Sequence, residues 1–237
     1  MNTKIFDTPK MAAEAFGEHL IEQARLSDFY HCALSGGSTP KLLFDYLAKK
    51  YSDSAVWKRV HFYWGDERCV PPTDAESNYK MTEDHLLNLI SIPSENIHRV
   101  HGENDPEKEA DRYANEIMEN APIMKGLPVF DMVILGMGED GHTASIFPDQ
   151  MELMSSERLC EVATHPTSGQ KRVTFTGHVI NSAREVAFLV TGAGKKKRVK
   201  EIFTKTGDWH SYPAAHIFPM DGTLTWYMDE EAAVLLK

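Results

Sequence analysis

The sequence predicts a single α/β domain over residues 1–237, a largely parallel, doubly wound sheet flanked by helices. Three observations predict it. Short β-branched or aromatic runs alternate with amphipathic segments along nearly the whole chain, the pattern of repeated strand-helix units. No period of 20–50 residues repeats, and no Pro- or Gly-rich linker divides the chain. The unusual residues gather just after the apolar runs, at the carboxyl ends of the expected strands, where α/β folds bind ligands.

The elements follow in order. Met1 to Phe6 is polar and charged with no apolar leader segment, and no stretch of about 18 apolar residues occurs anywhere, so neither secretion nor membrane spanning is expected. An amphipathic helix is expected over 10–26, then an apolar strand over 29–34. A helix over 40–50 leads to an aromatic-rich strand at 60–64. Helices over 78–89 and 106–119 precede 129–135, the most apolar strand in the chain. Short strands at 173–175 and 186–191 follow, then a helix over 195–204. Strands at 214–218 and 223–227 and a final helical turn from Glu230 complete the series. The stretch 151–172 carries no clear period.

Four strand ends are chemically loaded. The first is Ser35-Gly36-Gly37-Ser38-Thr39-Pro40. Its glycines permit close backbone approach, and free amides with two hydroxyls at a helix start form an anion site, with Pro40 as first helical residue. The alternative is a tight strand-to-helix turn with Ser38 or Thr39 as N-cap. It is not a P-loop, because the Gly-Lys-Ser/Thr ending is absent. The second is Gly65-Asp66-Glu67-Arg68, braced by Pro71-Pro72, which holds a guanidinium for bidentate recognition of an anion or carbonyl unless it is merely a solvated loop.

The third runs from Gly136-Met137-Gly138-Glu139-Asp140-Gly141-His142 to Pro148. Its G-x-G-x-x-G spacing invites a dinucleotide reading, but such a fingerprint must open a sustained helix, and Pro148 limits any helix here to about a turn. A histidine on a glycine loop, beside Asp140 and the hydroxyls of Thr143 and Ser145, is placed instead for proton transfer. The fourth is Thr191-Gly192-Ala193-Gly194-Lys195. A lysine at a helix start opposes the macrodipole, so a bound anion explains it better than helix stability does.

Composition excludes other classes. Twenty-five Lys and Arg against 35 Asp and Glu give a net charge of −10, which argues against nucleic-acid or anionic-membrane partners. Cys32, Cys69 and Cys160 fit neither a disulfide framework nor a zinc pattern, and suit a reducing cytoplasm. His142, His165, His210 and His216 lack the i, i+4 spacing of a helical metal site, and no serine sits in a G-x-S-x-G elbow. Metal-free chemistry without a cofactor or a covalent intermediate is expected, in a monomer or weak homo-oligomer.

Together these motifs resemble the 6-phosphogluconolactonase family, within a wider group of sugar-phosphate isomerases and deaminases, over nearly the whole chain. The resemblance rests on Leu34 to Pro40, Gly65 to Arg68 with Val70-Pro71 and Ser77-Asn78-Tyr79, Phe130-Asp131, Gly136 to Pro148, Arg172-Val173-Thr174, Gly192 with Lys195, and Pro213-Ala214-Ala215. Asp66-Glu67-Arg68 and His142-Thr143-Ala144-Ser145-Ile146-Phe147-Pro148 favour the lactonases over the deaminases, which continue differently after the histidine. Lys196 departs from the small residue usual after the lysine, which loosens the register expected for Lys195.

The resemblance implies cofactor-independent hydrolysis of a sugar-phosphate lactone, 6-phospho-D-glucono-1,5-lactone, to 6-phosphogluconate, the second step of the oxidative pentose phosphate pathway. The residues themselves suit that chemistry, because a δ-lactone needs a base for water, an oxyanion stabiliser and a grip on the remote phosphate. His142 is the expected base. Arg68, with amides near Gly138 and Gly141, is expected to stabilise the developing charge or hold the substrate. Gly36, Gly37, Ser38, Thr39, Arg172 and Lys195 are expected at the phosphate. Asp66 and Asp140 orient Arg68 or His142, or brace their loops. A sugar-phosphate deaminase or isomerase and a noncatalytic sugar-phosphate-binding module are the alternatives.

Overall fold

A computed structural model describes residues 2–236. The chain opens with β1 (Asn2–Phe6), α1 (Pro9–Arg25), β2 (Tyr30–Leu34), α2 (Ser38–Tyr51), β3 (Val60–Trp64), β4 (Asp66–Arg68), α3 (Asn78–His85) and β5 (Ile97–His98). Then come α4 (Pro106–Asn120), the hairpin of β6 (Ile123–Met124) and β7 (Leu127–Pro128), and β8 (Met132–Leu135). The last part contains β9 (Cys160–Thr164), β10 (Lys171–Phe175), α5 (Gly177–Asn181), β11 (Glu185–Val190), α6 (Lys196–Thr204), β12 (Thr223–Asp229) and α7 (Glu230–Ala233).

Seven strands form the main sheet in the order β1-β12-β11-β8-β2-β3-β5, and every neighbouring pair is parallel. β2 and β8 are buried along their whole length, as strands covered on both faces must be. The two coverings can be read from one strand. Successive side chains of a strand point to opposite faces, and on β12 the Tyr227 ring meets Phe16 of α1 at 5.0 Å while Trp226 meets Phe203 of α6 at 5.3 Å. Helices therefore flank both faces, as expected.

From β2 the chain moves outward through β3 and β5, then returns to β8 on the other side of β2 and moves outward again through β11 and β12. The reversal between β2 and β8 opens a crevice at their carboxyl ends. β3 also delivers the chain to a second sheet. The Gly65 amide still donates to Leu34 O at 2.9 Å, but Asp66–Arg68 then leaves to pair antiparallel with β10, which pairs in turn with β9.

Some expectations are corrected. The span 214–218 is no strand: Pro213–His216 forms a 3-10 turn, since Pro213 opens a helical turn more readily than it joins a ladder. The helix expected over 78–89 stops at His85 and continues as a 3-10 turn, Leu87–Leu89. A 3-10 turn, Ala193–Lys195, precedes α6. Strands β1, β4, β5 and β9 and the short α5 had no clear signal in the sequence. No helix among the described residues is long and apolar enough to cross a membrane.

Candidate active site

The loop after β2 makes the first wall of the crevice. Gly37, at φ +112°, is the N-cap of α2 and supplies no side-chain cap, which overturns the expectation of Ser38 or Thr39 as N-cap. Those two are instead the first helical residues, whose amides have no partner one turn back, and Pro40 has no amide to offer. The Thr39 hydroxyl is buried and bonded to the Thr191 hydroxyl at 2.8 Å, while Ser38 is exposed. Gly36 is required by packing: a Cβ there would stand 1.9 Å from Asn78 Oδ1.

The small sheet makes the second wall. Arg172 pairs in register with Arg68, and Thr174 with Asp66, so the period of two sets all four side chains on one face. Asp66 accepts from the Ser145 hydroxyl at 2.7 Å and lies 4.0 Å from an Arg172 nitrogen. Among the described residues it bonds neither Arg68 nor His142, so of the two roles expected for it, orienting and bracing, its contacts fit bracing. Burial pushes the Arg172 guanidinium below its ordinary value, against the pull of Asp66 and with the push of Arg68. Arg68 donates to Glu76 O. The Nε atoms of Arg68 and Arg172 are both buried without a protein partner. Two such guanidiniums side by side are a demand for an anion.

Behind them, buried Glu67 accepts from the amides of Arg68, Asn78 and Tyr79, each at 2.7 Å, and from the Ser77 hydroxyl at 3.0 Å. Burial pushes its carboxyl up, although these donors oppose the shift. The result is an α3 start fixed to β4, with Asn78 Nδ2 donating to Asp66 O at 2.9 Å.

The loop after β8 carries the histidine. His142 Nδ1 lies 2.7 Å from Asp140 Oδ1, and the His142 amide donates to the same oxygen at 3.1 Å. Burial alone would raise the Asp140 carboxyl, but the hydrogen bonds and charge of His142 outweigh it and hold it at about 2. A carboxylate offers acceptors alone, so Nδ1 carries the proton and Nε2 is left as the unprotonated ring nitrogen. The imidazole rests on Phe147, with ring centroids 4.8 Å apart. Gly138 makes room for the pair, since a Cβ there would lie 2.2 Å from His142 Nδ1 and 2.4 Å from Asp140 Oδ1. The amides expected to stabilise charge are already engaged: Gly138 donates to His142 O at 2.9 Å, and Gly141 to Gly138 O at 3.1 Å. These two amides are spent on closing the turn.

Lys195 comes from the fourth strand end. Gly192, at φ +93°, donates to both Asp229 oxygens at 3.0 Å, which fixes the turn that presents the lysine. Lys195 forms no ion pair among the described residues.

One cavity of about 220 Å³ gathers Gly36, Gly37, Asp66, Arg68, Gly138, His142, Arg172 and Lys195. Ser38, Thr39, Asp140 and Gly141 stand outside its lining. Ser35, Asn78, Gly136, Met137 and Ala144 line it without having been expected there. Asn78 had a signal, because Ser77 before an amphipathic run marks a helix start beside the charged strand end. Ala144, at φ +47°, had none. A larger groove of about 390 Å³, lined by Met124, Lys125, Val129, Arg184, Met220 and Asp221 among others, holds no histidine.

The chain is similar to known proteins over nearly its whole length. The family model for glucosamine-6-phosphate isomerases/6-phosphogluconolactonase matches residues 7–226. A 6-phosphogluconolactonase of Haemophilus influenzae is 45% identical and one of Aggregatibacter actinomycetemcomitans 44%, each over 237 residues and all of both chains. A solved structure described as devB protein superposes with a TM-score of 0.96 at 43% identity, over 100% of this chain and 99% of the other.

Proposed function

We propose, on the premise that this chain belongs to the glucosamine-6-phosphate isomerase/6-phosphogluconolactonase family, that it is a lactonase hydrolysing 6-phospho-D-glucono-1,5-lactone to 6-phospho-D-gluconate, the second step of the oxidative pentose phosphate pathway. The observation that carries the reading is the His142–Asp140 pair on a cavity lined by three cationic side chains, Arg68, Arg172 and Lys195.

His142 Nε2 takes a proton from water as the water oxygen bonds to C1 of the lactone. Asp140 keeps the imidazole in the reactive tautomer and stabilises its charged form. Electrons of the C1 carbonyl move onto its oxygen, where the Arg68 guanidinium stabilises the oxyanion in place of the engaged loop amides. Collapse of the intermediate breaks the bond from C1 to the ring oxygen, which takes the proton back from His142. Water is thereby consumed, and the ring opens to a carboxylic acid and a hydroxyl. Arg172, Lys195 and the amides at the start of α2 hold the remote phosphate and align C1. Three free cysteines, Cys32 and Cys160 among them buried, support a cytoplasmic setting.

The test is hydrolysis of freshly made lactone, followed through 6-phosphogluconate dehydrogenase with the spontaneous rate subtracted. The reading expects a large enzyme-dependent rate that His142→Ala lowers by roughly 10²–10⁴-fold in kcat. No rate above background from folded protein, or a fully active His142→Ala enzyme, overturns it. Lys195→Ala and Arg172→Ala are expected to act chiefly on KM, and Arg68→Ala chiefly on kcat.

A further inference from the structure

Beneath the histidine loop, on α6 and the segment that follows it, lies a charged cluster that the reaction itself does not use. Arg198 donates from Nε to Glu139 O at 3.0 Å and from Nη1 to Glu201 Oε2 at 2.9 Å. Glu201 Oε2 also accepts from the Tyr212 hydroxyl at 2.7 Å. The guanidinium lies over the Tyr212 ring, 4.8 Å from its centroid. That ring closes on the loop: a Cβ at Gly141 would stand 2.6 Å from Tyr212 Cγ, and the Ala214 amide donates to Gly141 O at 3.1 Å.

Glu139 and Gly141 are the two chain neighbours of Asp140, and both are therefore held by groups outside the cavity. The side chain of Asp140 has His142 as its hydrogen-bond partner. Its direction is otherwise set by the backbone on either side. Arg198 grips one side, and through Glu201 it steadies the tyrosine that supports the other. Arg198 also lies on the same helix as the turn that presents Lys195, one turn further along. The Glu139 side chain touches that turn as well, since a Cβ on Gly194 would lie 2.3 Å from Glu139 Oε1.

From this geometry we infer that Arg198 is a positioning residue for the lactonase reaction, clamping the backbone that aims Asp140 at His142 and locking the base loop to the helix of the phosphate cation. The inference rests on the proposed role of His142. A guanidinium suits the task because its planar fork can bond a carbonyl and a carboxylate while stacking on an aromatic face. A misaimed Asp140 would release the imidazole from the reactive tautomer and leave the phosphate site in place. The loss belongs to kcat and not to KM.

The experiment compares Arg198→Ala, Arg198→Lys, Tyr212→Phe and His142→Ala with the parent enzyme, measuring kcat, KM for the lactone and the thermal midpoint. Arg198→Ala is expected to lower kcat by roughly 10–100-fold with KM within about threefold. Lysine, which can restore one of the two polar bonds, should recover about a third to two thirds of the lost activity on a logarithmic scale, short of the parental kcat. Tyr212→Phe keeps the ring under Gly141 but cuts its bond to Glu201, and should lower kcat by less than Arg198→Ala does. Arg198→Ala with kcat unchanged overturns the inference, whether or not KM rises or the midpoint falls. If Arg198→Ala does not fold, Arg198→Lys decides: reduced kcat at constant KM supports the clamp, and parental kcat overturns it. An active His142→Ala enzyme would instead remove the reading on which the inference stands.

Discussion

Ser145 donates its hydroxyl to the Asp66 carboxylate across 2.7 Å, joining the histidine loop to β4 over 79 positions of sequence. The same hydroxyl lies 3.5 Å from Arg172 Nη1, so one side chain links the acid, the cation and the histidine loop. Ser145→Ala leaves a buried carboxylate short of a donor, which costs about 1–3 kcal/mol of stability. It also frees Arg172 to shift toward Asp66. A lower denaturation midpoint and a several-fold higher KM are expected, and an unchanged midpoint would show that Asp66 does not depend on Ser145.

Gly138→Ala tests the room made for the pair. The added methyl would meet both His142 Nδ1 and Asp140 Oδ1 well inside van der Waals contact, and it can be accommodated only by parting them. Its expected signature is a kcat loss of roughly 10²-fold or more, comparable to losing the general base, with circular dichroism of a folded α/β protein. Parental kcat would mean that the histidine works without its carboxylate.

Glu67 concentrates four donors on one buried carboxylate. Glu67→Gln exchanges an acceptor oxygen for a donor nitrogen facing amides that are themselves donors. A loss of about 2–3 kcal/mol is expected in urea denaturation. Because those amides start α3 and carry Asn78 to Gly36, kcat/KM should fall as well. A variant as stable as the parent would show that the α3 start holds without the charge.

Acid stability should depend on a residue far from the cavity. His31 on β2 is buried, and burial, followed by the charges of His61 and His98, pushes it from 6.5 down to about 4. Between those values the unfolded chain binds a proton that the folded chain does not, so the unfolding free energy rises with pH across this window and falls on acidification. The full shift corresponds to about 3 kcal/mol. Urea midpoints should fall between about pH 6.5 and about pH 4, less steeply in His31→Phe. The same slope in both proteins would mean that His31 is not the proton acceptor.

Five strands of the main sheet, β2, β3, β8, β11 and β12, were legible because buried parallel strands read as mostly apolar or aromatic runs, whereas its edge strands β1 and β5 were not. β4 and β9 were not, because Asp-Glu-Arg and Cys-Glu-Val-Ala-Thr become strands only by pairing with β10, a tertiary fact that local pattern does not record. Most of the site's charge was legible from its place at strand ends, as with His142, Arg68 and Lys195. The relations among those residues were not. Nothing in the order of residues says that Asp66 faces Arg172, or that the amides of Gly138 and Gly141 are engaged within their own turn. The Gly37 cap was hidden for a related reason: both hydroxyls beside it are good caps, and a positive φ decided against them.

β1 has one neighbour in the sheet, β12, with Asn2 opposite Thr225 and Phe6 opposite Asp229. β1 therefore has no strand to join until β12, at the other end of the domain, has been made. During synthesis this edge must wait unpaired, and long-range pairing of this kind is slow to form. A domain cut short before β12 would lose the seat of β1 along with β12 itself. Incomplete translation products would then present an unzipped sheet to cellular quality control.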